Sequence, residues 1–287
     1  MNKKYLSALF IFLFLASAIY GRKPKARAGG YPKSIVALSP SAAEILFTIG
    51  AGDQVSAVSE FTDFPEEAKA KPVVGGFDGK TLSLETIMSF RPDLVYLTEG
   101  MHNFLIATLE ANGIAYYVSK GDSIASVEKE ILEVGKITGH EKEAAKVVDG
   151  METKLKKAVT SAHKGGAVNS DSTVNVYWEV WNAPYMSAGA FSFINDVIKA
   201  AGGENIFSDL PDTYPMVSEE SIISRQPAVI LIPASTGMAA DAVGLRNGWA
   251  DIPAVKGDRV FVVDDNVYTR PGPRVADVVL ELSELLK

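Results

Sequence analysis

The chain has 287 residues, 47% of them hydrophobic, which is enough to bury the cores of two lobes of ordinary domain size. Its 35 acidic and 28 basic side chains leave a formal net charge of -7, and this acidic balance disfavours nucleic acid or anionic lipid as a partner, because their phosphates would be repelled. The sequence contains no cysteine, so we expect no disulfide, no cysteine nucleophile and no lipid attached through a cysteine.

The first predicted element is a secretory signal over residues 1–21. Lys3 and Lys4 supply a basic start, and an apolar run and a small-residue cleavage site follow them. The apolar run is shorter than the roughly 20 residues that span a bilayer, although a retained membrane anchor is the alternative. Residues 22–33 form a basic leader without apolar periodicity. We expect a periplasmic protein released from its signal.

Apolar, strand-like segments alternate with helix-like segments from residue 34 onward. This alternation predicts an α/β fold with parallel sheets covered by helices on both faces. Residues 123–163 interrupt it with helical patterns only, which predicts a long connecting helix. We therefore predict two Rossmann-like lobes, an N-terminal one at 34–140 and a C-terminal one at 165–287, joined by a single long helix at 141–164.

One pattern occurs twice, at 83–97 and at 218–232. In both copies two serines, a glutamate, an isoleucine and a proline keep their places, a short helix stops before the proline, and an apolar strand follows it. The pattern places Glu85 and Glu220 in the first turns of equivalent helices. Two matched acidic side chains suggest a two-fold partner, and two solvated helix caps are the alternative.

Catalytic signatures are scarce. The phosphate-binding glycine loop, the two-histidine metalloprotease helix and the Gly-x-Ser-x-Gly motif are all absent from the sequence. The three histidines are far apart, which argues against a zinc receptor. Asp63, Asp78 and Glu179 lie near predicted loops, but no spacing pairs them as acid and base. We predict that the protein is not an enzyme and uses no cofactor, and an exported hydrolytic enzyme is the alternative.

Aromatic side chains are concentrated where strands are predicted to end. Ligands of open parallel sheets gather beyond the carboxyl ends of the strands, so an aromatic cleft between the lobes suits a large, flat, mostly apolar ligand with polar edges. Arg270 is placed to meet an anionic or amide edge of such a ligand. A neutral His102 facing the cleft is able to coordinate a metal inside a ligand, and a solvated His102 is the alternative. The aromatic candidates are Phe61, Phe64, Phe77, Trp178, Trp181, Tyr185, Tyr214 and Tyr268.

Five stretches of the sequence resemble class III periplasmic binding proteins of ABC importers for cobalamin, haem and ferric siderophores. The matching stretches are 35–44, 59–65, 84–95, 201–207 and 270–277. The resemblance implies a monomer with two α/β lobes joined by one long helix, with the ligand between the lobes and little hinge motion. It also implies that Glu85 and Glu220 dock onto arginines of the two permease subunits.

The similarity is greatest to the cobalamin-binding branch, at 59–65, at Phe77 and at 214–218. It implies that Phe61, Phe77 and Tyr214 pack against the corrin ring, with further side chains around it. These further side chains are Trp181, Tyr185, Tyr268 and Arg270.

The resemblance has gaps. The cobalamin-binding branch has a tryptophan where Thr98 stands and an acidic residue where Thr269 stands. The haem branch uses a tyrosine ligand where this chain has Phe64, which cannot ligate iron. We therefore predict a receptor that captures a corrinoid and delivers it to an ABC importer. A ferric siderophore or haem receptor is the alternative within the family, and an exported cobamide-modifying enzyme is the alternative from another class.

Overall fold

The computed structural model describes residues 30–76, 80–164 and 173–287. The predicted signal at 1–21, most of the leader and Phe77 lie outside the described residues. Within the described ranges, no helix combines the length and the apolar character needed to cross a bilayer.

The first lobe is built on a parallel sheet of four short strands. The strands are β1 (Ile35–Ala37), β2 (Val55–Val58), β3 (Leu94–Thr98) and β4 (Ala115–Ser119). They lie in the order β2-β1-β3-β4. The helices of this lobe are α1 (Pro40–Thr48), α2 (Glu66–Lys69), α3 (Leu84–Ser89), α4 (Asn103–Ala111) and α5 (Ile124–Thr138).

The long helix α6 (Glu141–Lys164) leads from the first lobe to the second. The strands of the second lobe are β5 (Val174–Asn182), β6 (Tyr185–Ser187), β7 (Gly203–Asn205), β8 (Val229–Pro233) and β9 (Val260–Val263). Its helices are α7 (Phe193–Ala200), α8 (Glu219–Ser224), α9 (Ala240–Gly244), α10 (Pro253–Lys256), α11 (Asp265–Tyr268) and α12 (Val275–Leu285). The last helix, α12, packs along α6.

The prediction of an α/β fold with two lobes is confirmed. Strand β5 pairs in parallel with β7 and with β8, as β1 does with β2 and β3, so the central strand of each lobe has matching neighbours. Strand β6 departs from the parallel pattern, because a tight hairpin after Asn182 folds it back against the end of β5. This hairpin, defined as residues 174–187, is an addition that the alternating pattern did not predict.

The repeated pattern forms the same structure in both lobes. Helices α3 and α8 are each six residues long, and each begins behind a serine that accepts a hydrogen bond from a backbone amide three residues later. Each helix is followed by a residue with positive φ, Arg91 at 48° and Gln226 at 46°, directly before the proline. Residues other than glycine rarely adopt this backbone conformation, so its presence at both positions shows how closely the two copies match.

A single buried cluster of apolar side chains extends through both lobes and through the helices between them. Its members include Ala37 of β1, Val127 of α5, Met151 of α6, Val176 of β5, Val197 of α7 and Val279 of α12. Interiors of this kind are close-packed, so moving the lobes apart would open apolar contacts. The lobes are therefore joined by packing as well as by the connecting chain.

Glu130 lies within the first lobe and is 3% exposed. It accepts hydrogen bonds from the Tyr96 hydroxyl and from Ser119 Oγ, the latter at 2.8 Å. Burial raises the pKa of Glu130 to about 7. The folded state therefore binds the proton of the Glu130 carboxyl more tightly than the unfolded state does. The stabilisation that protonation of Glu130 gives to the folded state is complete below pH 4.5 and is lost as the pH rises through 7.

We expect the wild type to lose about 2 kcal/mol more unfolding free energy than Glu130→Gln between pH 5 and pH 8, because glutamine does not titrate. Urea unfolding of both proteins at the two pH values measures the difference. Equal losses would show that Glu130 titrates alike in the folded and unfolded chains.

Candidate functional site

Exposed aromatic side chains lie at the carboxyl edges of the sheets. Phe61 follows β2 and is 50% exposed, and Trp181, near the end of β5, is 52% exposed. Tyr214, which precedes α8, is 47% exposed. Parallel strands end at a common edge, where such sheets bind ligands. The structure therefore leaves these three predicted ligand contacts accessible.

Trp181 and Tyr214 belong to neighbouring segments of the second lobe. The backbone amide of Ser187 donates to the carbonyl of Pro215 at 3.0 Å, and that of Val217 donates to the carbonyl of Tyr185 at 3.0 Å. The segment 214–218 thus runs beside the hairpin that carries Trp181. The indole of Trp181 donates to the carbonyl of Ala183 at 3.0 Å, which holds the ring at the turn of the hairpin.

Arg270 is only 9% exposed and is engaged by carboxylates of the other lobe. Its Nη1 donates to Asp63 Oδ1 at 2.6 Å and lies 3.7 Å from Glu44 Oε2. Partial burial acts to raise the pKa of Asp63, but the hydrogen bond and the charge of Arg270 outweigh it and hold that pKa below its usual value. The guanidinium that the sequence assigned to the ligand therefore joins the two lobes.

Arg274 completes the same contact between the lobes. Its Nη2 donates to Glu44 Oε2 at 2.8 Å, and its guanidinium lies 4.0 Å from the ring centre of Phe64. Glu44 is 1% exposed, so both of its partners meet it away from water. We call Glu44, Asp63, Arg270 and Arg274 the interlobe cluster.

A second ion pair lies inside the C-terminal lobe. Arg246 donates to both oxygens of Glu179, at 2.6 Å and 2.8 Å. Glu179 is fully buried, and the pair is bidentate, the geometry that binds a carboxylate most tightly. Asp63 and Glu179, two of the carboxylates considered as an acid and base pair, are thus each held by an arginine.

Two predicted site residues are buried, and both expectations need correction. Tyr268 is 3% exposed, its ring stacks on Trp178 with centres 6.0 Å apart, and its hydroxyl donates to Glu281 at 2.9 Å. His102 has no exposed surface, and its Nδ1 accepts from the backbone amide of Thr98 at 2.9 Å. Neither side chain lines a cleft, and His102 is not solvated either. Their polar neighbours in the sequence gave no sign of the packing that covers them.

Tyr185 is half-buried and points toward α8 of the second lobe. Its hydroxyl donates to Glu219 at 3.1 Å, and its ring lies 5.7 Å from that of Trp249.

Glu85 and Glu220 are exposed in the first turns of α3 and α8, as the repeat predicts. Hydrogen bonds from its own backbone amide and from Ser218 hold the pKa of Glu220 below its usual value. Glu220 is therefore ionised at neutral pH.

Two cavities lie away from these aromatic rings. One of about 380 Å³ lies between the start of α5 and α7, and the other, of about 500 Å³, lies beside α1 and α2. Neither is lined by Phe61, Trp181 or Tyr214.

In the described ranges, histidine and carboxylate side chains do not form a group of three or more that could hold a metal ion. We place the candidate site at the carboxyl edges of the two sheets, where Phe61, Trp181 and Tyr214 offer apolar surface to a ligand. These edges are called the aromatic edge below.

Sequence reasoning missed Glu44, Arg246, Glu219 and Trp249. The partners of Glu44 lie at the other end of the chain, and no local pattern connects them. Glu219 did leave a signal, because it stands where the first copy of the repeat has Leu84.

Comparison with known proteins agrees with this architecture. An ABC transporter substrate-binding lipoprotein of Bacillus subtilis is 33% identical over 258 residues, 88% of this chain and 79% of that protein. A vitamin B12-binding protein of Vibrio parahaemolyticus is 27% identical over 286 residues, 99% of this chain and 96% of that protein. The crystal structure of the periplasmic vitamin B12-binding protein of Vibrio cholerae superposes with a TM-score of 0.76 at 25% identity, covering 89% of this chain and 96% of that one.

A family model gives the same assignment. The model described as periplasmic binding protein matches residues 35–267, which include both sheets and the helices between them. The matched range contains Glu44, Asp63 and both copies of the repeat. This chain belongs to the periplasmic binding protein family.

Proposed function

We propose that this protein captures a corrinoid between its lobes and delivers it to an ABC importer. The relatives named for vitamin B12 match nearly the whole chain, which supports this cargo. The observation that carries the proposal is that the site offers exposed aromatic rings, while the arginines near it are already paired with carboxylates. Phe61, Trp181 and Tyr214 offer apolar surface, whereas Arg270 and Arg246 are already bound by carboxylates.

This chemistry favours a corrinoid over the alternatives. A corrin is a large ring system edged by neutral amides. The ring system packs on aromatic side chains, and its amides need hydrogen-bond partners rather than cations. Haem carries two carboxylates and many ferric siderophores are anionic, so both favour a free guanidinium. Arg270 does not offer one, because Asp63 lies 2.6 Å from it.

A titration with cyanocobalamin tests the cargo. We expect saturable binding at micromolar concentration or below, seen by isothermal titration and as a shift in visible absorbance. Trp181→Ala is expected to weaken binding at least tenfold, because exposed aromatic anchors dominate such interfaces.

Tyr31→Ala is the matched control, since Tyr31 is 56% exposed and precedes β1, at the amino edge of the sheet in the first lobe. Absence of cobalamin binding, with binding of haem or of a ferric chelate, would overturn the cargo and leave the family assignment intact.

We further propose that Glu85 and Glu220 dock onto arginines of the two permease subunits. Both side chains are exposed, and their helices have the same length, the same serine cap and the same strand after them. Carboxylates on rigid elements suit bidentate pairing with arginine, which sets orientation as well as affinity. The signal predicted at 1–21 would bring the chain to the compartment where such docking takes place.

A further inference from the structure

Helices α3 and α8, which carry Glu85 and Glu220, are held in different ways. In the first copy of the repeat, the residue before the docking glutamate is Leu84, which packs against the apolar cluster of its lobe. In the second copy that residue is Glu219. A half-buried carboxylate replaces an apolar anchor at the same position, so the second lobe has polar contacts there that the first lobe lacks.

One oxygen of Glu219 connects three elements of the C-terminal lobe. Glu219 Oε1 accepts a hydrogen bond from the Tyr185 hydroxyl at 3.1 Å and another from Trp249 Nε1 at 2.8 Å. Tyr185 belongs to β6, and Trp249 is fully buried in a 3-10 turn at Trp249–Asp251. Helix α8 is thus tied by side chains to the hairpin and to the core.

The contacts continue to the strand that carries Trp181. Arg246 lies 4.6 Å from the ring centre of Trp249 and 5.5 Å from that of Tyr185. The same guanidinium holds Glu179 of β5, which is two residues from Trp181. Side-chain contacts therefore lead from Glu179, two residues before Trp181 on the same strand, to the first turn of α8.

The backbone makes a second connection between the same parts. Segment 214–218 pairs with the hairpin and ends at Ser218, the cap of α8. Tyr214, an accessible ring at the aromatic edge, begins this segment. The hairpin, the segment and α8 are joined by both backbone and side-chain hydrogen bonds.

We propose that Glu219 is a positioning residue that fixes α8 to the hairpin, so that Glu220 is presented in one orientation relative to the ligand-binding edge. This proposal rests on the proposed docking role of Glu220. It assigns to Glu219 no contact with the importer.

The test compares two substitutions in the otherwise intact protein. Glu219→Leu makes the second copy like the first and removes both hydrogen bonds, whereas Glu219→Gln keeps an acceptor oxygen at the same distance. Docking is measured with a vitamin B12 importer, permease and ATPase subunits together, in lipid nanodiscs. We expect Glu219→Leu to weaken docking about tenfold and Glu219→Gln to stay within twofold of the wild type. Cobalamin affinity is expected to stay within twofold in both variants.

A second readout needs no importer. Amide hydrogen exchange of the free protein over 215–224 is expected to accelerate at least tenfold in Glu219→Leu and to be unchanged in Glu219→Gln. Tyr185→Phe removes one of the two donors and is expected to lie between them. Exchange at wild-type rates in Glu219→Leu would overturn the positioning role.

Docking of Glu220→Ala separates the two levels of the proposal. If Glu220→Ala docks poorly while Glu219→Leu docks like the wild type, the positioning role of Glu219 is wrong and the docking role stands. If Glu220→Ala docks like the wild type, the docking role itself is wrong. A loss in Glu219→Gln equal to that in Glu219→Leu would also overturn the proposal, because it would assign the effect to the charge and not to the acceptor.

Discussion

Replacing Glu85 and Glu220 together by alanine is expected to lower docking to the importer by about 100-fold and to leave ligand affinity within twofold of the wild type. Each lost contact with an arginine is taken as about 1.4 kcal/mol, which is tenfold in affinity. The folded state should be unaffected, because both side chains are exposed. Uptake of radiolabelled cobalamin by proteoliposomes that contain the importer measures the transport defect.

Glu66→Ala with Glu152→Ala is the matched control. It removes the same number of negative charges from exposed helical positions that the repeat does not include. We expect the control to transport like the wild type and the single variants to show intermediate losses. Added salt should weaken wild-type docking, since exposed charges are screened. A double variant that transports at the wild-type rate would contradict the docking role of the repeat.

The second large effect concerns the interlobe cluster. Glu44→Ala is expected to lower the free energy of unfolding by about 3 kcal/mol, because it leaves Arg270 and Arg274 with a buried partner missing. Arg270 keeps Asp63, which limits the loss. Urea unfolding at neutral pH measures the change. Ligand affinity should fall as well, because the cluster fixes one lobe against the other.

Asp277→Ala gives a matched comparison for the cluster. Asp277 pairs with Lys154 at 2.6 Å, and this ion pair also joins α12 to α6, but about half of each side chain is exposed. Exposed pairs of this kind contribute less than about 1 kcal/mol. If Glu44→Ala costs no more than Asp277→Ala, the interlobe cluster does not hold the lobes together.

Local patterns were sufficient for the two α/β lobes and for the repeat, but not for the antiparallel strand β6. Alternating strands and helices predicted parallel sheets, and the serine before each short helix predicted caps that the structure contains at Ser83 and Ser218. These features depend on residues within one turn or one strand of each other. A sequence displays such relations directly.

The parts that were missed depend on distant packing. Arg270 and Asp63 are 207 positions apart, and nothing near either residue indicates the other. Tyr268 and His102 have polar neighbours, yet tertiary contacts bury both. Glu219 is different, because the departure from Leu84 in the repeat was visible in the sequence. Comparing the two copies for their differences would have revealed it.

The continuous core through both lobes has a consequence for how the importer distinguishes a loaded receptor from an empty one. A receptor whose halves share one close-packed interior is expected to keep nearly the same outline with or without cargo. The distance between Glu85 and Glu220 would then be the same in the loaded and the empty receptor. Under the proposed function, the importer would then have to recognise the cargo itself, where it forms part of the surface between the lobes.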